Sequence, residues 1–275
     1  MFVKRFALLA LAVLLIVNLA ACSKEKPKNT LEEIKSRGKI IVGTEAALPP
    51  YEFVEGGKIV GYGPDILKEI IKNMNVELEQ QDVPFSGILA GLENKKFDLV
   101  ATAISVNPER QEKFGLTVPI GDFLYSLVKR TGDDRLTKPD DINGKKIGTN
   151  TGSVVETELT KYNERLKAEG KEGFEIIRYQ NMADVYMDLK NGRVDAVISG
   201  LLTLKNIDKK EPGAYERFDG GIEIHQYASW AVRKEDKELL EFLNAEILKM
   251  KKSGKLAELQ EKWIGETFDL PDQLP

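Results

Sequence analysis

Short β-branched runs alternate with segments of helical period along most of this chain, and that alternation constrains its fold more than any other feature. Lys39–Gly43 reads as a strand, and Glu55-Gly56-Gly57 as the turn of a hairpin that returns through Val60–Tyr62. From Pro64 the apolar positions Ile66, Leu67, Ile70, Ile71 and Met74 fall at helical spacing. Val76–Gln80 (strand), Phe85–Glu93 (helix) and Asp98–Ala103 (strand) continue the series. A second series follows: strands at Phe123–Arg130 and Lys146–Thr149, then a helix at Ser153–Lys167. A strand at Phe174–Tyr179, a helix at Ala183–Leu189 and a strand at Asp195–Ser199 come next. Ile222–Arg233 is a long strand, and helices at Lys237–Lys251 and Lys255–Trp263 end the chain. Elements of these lengths in this order predict an α/β fold with mainly parallel sheets covered by helices.

The first residues set the compartment. Lys4 and Arg5 precede an unbroken apolar run from Phe6 to Val17, which leads into Leu19-Ala20-Ala21-Cys22. A basic start, a short apolar stretch and small residues before a break are the features of a secretory leader. A membrane-spanning helix needs about 20 apolar residues, so the run is short for an uncleaved anchor. Cys22 is the single cysteine, which excludes an intramolecular disulfide. Leu-Ala-Ala-Cys resembles the bacterial lipobox, which implies a leader over residues 1–21 and an acyl chain on Cys22 that tethers the domain to a membrane. Residues 22–30 are polar and charged with one proline, the composition of a flexible tether, so folded chemistry is expected from about Leu31.

Charge and composition remove several function classes. The 40 basic and 44 acidic side chains give a formal net charge of −4, and loss of Lys4 and Arg5 with the leader enlarges the acidic excess. No basic surface follows, and nucleic acid is not an expected partner. One histidine and one cysteine leave few soft ligands for zinc or copper, and no cofactor or metal is expected.

Two segments carry recognition chemistry. Asn107 suits an N-cap and Pro108 a first helical position, which places Arg110 in a first turn beside unpaired backbone N–H groups. A guanidinium there favours an anion and can grip a carboxylate through two parallel hydrogen bonds, although a solvated surface arginine fits the same residues. Thr151-Gly152-Ser153 stands between a strand and a helix. Thr151 or Ser153 can cap that helix, and Gly152 permits close backbone approach.

These pieces, taken in order, resemble family 3 of the extracellular solute-binding proteins, the polar-amino-acid receptors of ABC importers. The resemblance runs from Gly38–Phe53 through Gly61–Leu67, Phe85–Leu92, Asn107–Arg110 with Leu116–Pro119, Thr151–Ser153 and Gly192–Val197 to Lys262–Gly265. It implies a two-lobe, periplasmic-binding-protein-like (type II) fold with two hinge strands. Lobe one would comprise residues 31–123 and 227–275, and lobe two residues 124–226. It further implies a monomer outside the cytoplasm that closes on a small carboxylate-bearing solute, an amino acid or derivative, and delivers it to a permease. Arg110 would bind the solute carboxylate, with Ser105 and the backbone at Thr102 and Ala103 on the same wall. Thr151, Gly152 and Ser153 would close from lobe two, Phe85 would form a floor, and Glu45 would face the solute side chain. Two positions depart from the family pattern. Leu48 replaces an aromatic in the opening loop, and Gly200 stands where an acid pairs with the solute ammonium. Either another acid such as Glu45 supplies that charge, or the solute is not a standard α-amino acid. His225, Trp230 and Trp263 read as structural. The rival readings are a cyclohexadienyl-dehydratase-like enzyme, which needs a positioned general acid, and a tethered sensor domain. Neither is preferred, and catalysis is not expected.

Overall fold

The computed structural model describes residues 29–275; the leader, Cys22 and most of the tether lie outside the described residues. The first described helix begins just before Leu31, where folded chemistry was expected to start. Asn29 Oδ1 accepts from Glu32 N at 2.9 Å and caps helix α1 (Thr30–Arg37), which Gly38 ends in the left-handed conformation.

A parallel core opens the first half: β1 (Lys39–Thr44) lies between β5 (Glu77–Asp82) and β6 (Leu99–Ser105). Between β1 and β5, the small sheet β2 (Ala47–Leu48), β3 (Glu52–Glu55) and β4 (Lys58–Val60) leads into α2 (Tyr62–Met74). The turn into α2 requires glycine. Gly61 has φ +130°, and a Cβ there would come within 2.4 Å of the Tyr51 carbonyl oxygen. Ile66, Leu67, Ile70, Ile71 and Met74 of α2 are all buried, as their spacing predicts. Helix α3 (Phe85–Glu93) precedes β6, and the short α4 (Pro108–Lys113) and β7 (Phe114–Leu116) follow it.

The second half holds β9 (Lys146–Asn150) between β10 (Glu175–Tyr179) and β11 (Ala196–Gly200), all parallel, with α5 (Val154–Ala168) and α6 (Met182–Lys190) as crossovers. Helix α7 (Leu201–Lys210) follows β11 without a break. Sequence periodicity did not reveal it, because its apolar residues are only partly buried and Gly200 both ends the strand and caps the helix. The chain closes with α8 (Lys237–Lys252) and α9 (Lys255–Ile264).

Two long strands join the halves: β8 (Gly121–Arg130) and β12 (Tyr215–Arg233). They run antiparallel to each other, β8 also antiparallel to β11 and β12 to β6 and β7, so the sheet is mixed where a mainly parallel one was expected. The cause is topological: a strand that crosses out and one that crosses back must run in opposite directions. The order is β10-β9-β11-β8-β12-β6-β1-β5, with β7 on β12. β11 engages β8 at Tyr125–Lys129, and β6 engages β12 from Ala228 onward. Between those attachments Asp122–Leu124 pairs only with His225–Tyr227, and this two-strand ribbon is the hinge. Separate cores form on its two sides. Ile40, Leu67, Leu99, Trp230 and Leu243 belong to one. Leu127, Ile147, Leu159, Ala196 and Phe218 belong to another. The chain folds as a two-lobe α/β protein whose cleft lies beside the hinge.

Candidate functional site

Arg110 is held from its own backbone outward. Asn107 Oδ1 accepts from Arg110 N at 2.8 Å, Pro108 opens the helix, and the side chain turns inward to become 93% buried. Nη1 donates to the Ser105 carbonyl at 3.0 Å, within its own lobe. Nη2 donates across the cleft to the Gly152 carbonyl at 2.9 Å. The Phe85 ring centroid lies 5.8 Å from the guanidinium carbon. Burial draws the Arg110 pKa below its ordinary value, but a guanidinium keeps its charge in proteins. The adjacent Glu109 is engaged by Lys113 at 2.9 Å, and no described carboxylate forms an ion pair with Arg110. Two carbonyl dipoles therefore face a full buried charge, a costly arrangement unless an anion completes it.

Across the cleft, Ser153 caps α5: its Oγ accepts from Glu156 N at 3.1 Å and donates to the Asn150 carbonyl at 2.8 Å. Gly152 has φ +78° and offers its carbonyl to Arg110, while its N–H donates to Glu156 Oε2 at 2.8 Å. The Thr151 N–H donates to the Tyr179 carbonyl at 2.8 Å. In this closed arrangement the amides of Thr151 and Gly152 are thus engaged within lobe two.

A cavity of about 50 Å³ lies between the lobes. Glu45, Phe85, Ala103, Ser105, Ser153 and Gly200 among the expected residues line it. Thr102 stands behind the wall, Arg110 at one side, and Leu48 faces the cavity itself. Tyr125, Asn150, Met182, Tyr186 and Ser199 also line it, and sequence reasoning did not find them. They come from β8, β9, α6 and β11, far apart in the chain, and no local motif marks them. This volume has room for a few water molecules.

Glu45 is 4% exposed, and its Oε1 accepts from Met182 N at 3.1 Å, a bond from one lobe to the first turn of α6 in the other. Burial, with Asp82 adding to it, raises its pKa to about 7. Glu52 was not singled out from sequence. It is 2% exposed, and its Oε1 accepts from Thr102 Oγ1 at 2.7 Å and Ala103 N at 2.8 Å, beneath the cavity wall. Burial raises its pKa to about 8. His225 Nε2 lies 2.5 Å from Asp122 Oδ1 on the hinge ribbon, and Trp230 is fully buried.

Comparison with known proteins agrees with this architecture. The L-cystine-binding protein TcyJ of Escherichia coli is 30% identical over 244 residues, 86% of each chain. The crystal structure of a mutant of ArgBP from T. maritima superposes with a TM-score of 0.77 at 34% identity, covering 86% of this chain and all of that one. An ancestral amino acid-binding protein described as a precursor of cyclohexadienyl dehydratase gives 0.74 at 26% identity, covering 86% and 99%. These relatives are named for what they bind. With residues 40–266 matching the family described as bacterial extracellular solute-binding proteins, family 3, the chain belongs to that family.

Proposed function

We propose that this protein is a lipid-anchored receptor that captures a small carboxylate-bearing solute, an amino acid or derivative, and presents it to the permease of an ABC importer. The observation that carries the reading is Arg110: a buried guanidinium at the lobe interface, faced by carbonyls and by no acid of its own. A solute carboxylate would displace the Gly152 carbonyl and restore charge balance, which favours the closed lobes over the open ones. Ser105 and Ser153 supply neutral hydrogen-bonding groups at the cavity and Phe85 packs beside the guanidinium, while Gly152 brings the second lobe to it. The lobe limits proposed are 31–123 with 227–275, and 124–226. Acylation at Cys22 after removal of residues 1–21 would place the receptor outside the cytoplasm, acting as a monomer. Among the described residues no helix is long and apolar enough to cross a membrane. The names of the relatives, for cystine, arginine and histidine, support an amino-acid-like solute.

The test is calorimetric titration of the full chain and of Arg110→Ala with polar amino acids and their derivatives. Loss of one or two charge-assisted hydrogen bonds of about 1.5–3 kcal/mol each should weaken binding at least tenfold. Equal affinity in the two proteins would refute the assignment of Arg110.

A further inference from the structure

Leu48 and Met182 line the small cavity, while their chain neighbours Ala47, Pro49 and Ala183 line a larger groove of about 370 Å³. Ala47 and Pro49 come from the first lobe, and α6, α7 and the start of β12 build the rest from the second. Ala47 packs there against a core that includes Val185 and Val197. Tyr186 is the one described residue that lines both spaces. Its hydroxyl shares a hydrogen bond with Ser199 Oγ at 2.6 Å, which holds the ring between groove and cavity. Pockets that take small ligands run from about 300 to 1,000 Å³, favour the space between domains and combine an apolar lining with few polar groups.

Residues three and four apart share a helix face, and the groove takes Ala183, Met187 and Lys190 from α6 with Asn206, Ile207 and Lys210 from α7. These faces are left partly uncovered. Thr203 is the only buried residue of α7, Ile207 is half-buried, and Met187 is 55% exposed. With the rings of Tyr186 and Tyr215 they give an apolar lining in which a thioether lies beside two aromatic groups. Three charged side chains border it. Lys190 Nζ and Glu211 Oε1 pair at 2.7 Å and balance each other. Lys210 Nζ lies 5.3 Å from the centroid of the Phe53 ring, and no described carboxylate forms an ion pair with it. The groove therefore combines apolar walls with one positive charge that has no described countercharge.

We propose that this groove is a second ligand site, separate from the one at Arg110, for a small monocarboxylate with an aromatic body. The ring packs against Tyr186, Met187 and Ile207, and the carboxylate pairs with Lys210. Sulfur–ring and ring–ring contacts favour an aromatic body over a plain alkyl one. Nothing in this site depends on the role given to Arg110. The probe is 4-phenylbutyrate, with 4-phenylbutanamide as its neutral counterpart, each titrated into the isotope-labelled full chain and followed by backbone amide shifts. 4-Phenylbutyrate is expected to bind with a dissociation constant on the order of 1 mM or tighter, and to move the amides of residues 183–190 and 206–211 most. Lys210→Gln, at an exposed position, should weaken it about two- to fivefold, the scale of an exposed ion pair, and the amide should bind the wild type more weakly by a similar factor. Met187→Glu, which sets a negative charge in the exposed part of the lining, should weaken it at least about tenfold. Each variant is first checked for the wild-type melting transition, and the wild-type shift map locates the site without them. Absence of saturable binding, largest shifts at residues 107–110 and 150–153, or an affinity unmoved by Met187→Glu would overturn the proposal. An amide that binds as tightly as the carboxylate, or a Lys210→Gln affinity equal to that of the wild type, would overturn the anionic class of the ligand.

Discussion

Burial without a countercharge ties three residues of the cleft together: Arg110, Glu45 and Glu52. Arginine cannot shed its proton, so its environment needs an anion; the two glutamates can take one up, and their pKa values rise to about 7 and about 8. Above the ordinary glutamate value of 4.5, the unfolded chain has released these protons while the folded protein still holds them. The native state then binds more protons than the unfolded one, and stability falls as pH rises, levelling off above about pH 8. Denaturant melts at pH 5 and pH 8 should therefore show a lower midpoint at the higher pH. Glu52→Gln keeps an acceptor for Thr102 and Ala103 and cannot ionise. Its midpoint should exceed that of the wild type at pH 8, with a smaller difference between the two pH values. An undiminished difference would place the titrating group elsewhere.

At the scale of elements, short helices do much of the positioning. Helix α4 has six residues, and its orientation depends on the Asn107 cap and Pro108 more than on helix propensity. Asn107→Ala should cost about 1 kcal/mol of stability by loss of the cap. Because the capped amide belongs to Arg110, it should weaken solute binding beyond that loss, as paired melting and titration experiments would reveal. This element was legible in sequence, since cap, proline and arginine are adjacent. Helix α7 was not, since its start lies inside a continuous run from β11 and carries no capping side chain. The Gly61 turn shows the opposite case, a local need so strong that glycine marks it: Gly61→Ala should destabilise the fold, because its Cβ would overlap the Tyr51 carbonyl. A melting point unchanged by that substitution would mean the α2 start can relax.

For the whole molecule, the hinge ribbon lets the lobes move while their cores stay intact. The closed state is held across the cleft by Arg110 to Gly152, Met182 to Glu45 and Ser86 to Gln180, and beside the hinge by Lys205 to Glu266 at 3.4 Å. Ser86 and Gln180 are exposed, and their hydrogen bond contributes about 0.5–1.5 kcal/mol. Ser86→Ala should therefore shift the lobes toward the open state by a few-fold and leave the melting of each core nearly unchanged. Small-angle scattering would register it as a larger radius of gyration without solute and no difference at saturation. A solute that binds the native state should also raise the melting temperature with concentration.

Periodicity, caps and punctuation determined the α/β class, the two series of elements and the first turn that carries Arg110, and narrowed the next helix cap to Thr151 or Ser153. These depend on residues within a few positions of one another, where backbone geometry leaves few options. The proposed leader and acylation at Cys22 rest on the same local kind of signal. Only the tertiary structure decided that the sheet is mixed, because the direction of β8 and β12 follows from how the chain crosses between lobes. It alone brought Glu52 under the cavity wall and set Tyr125, Tyr186 and Ser199 around the cavity. Their chemistry comes from burial and long-range contact, and neither leaves a pattern in the sequence near them.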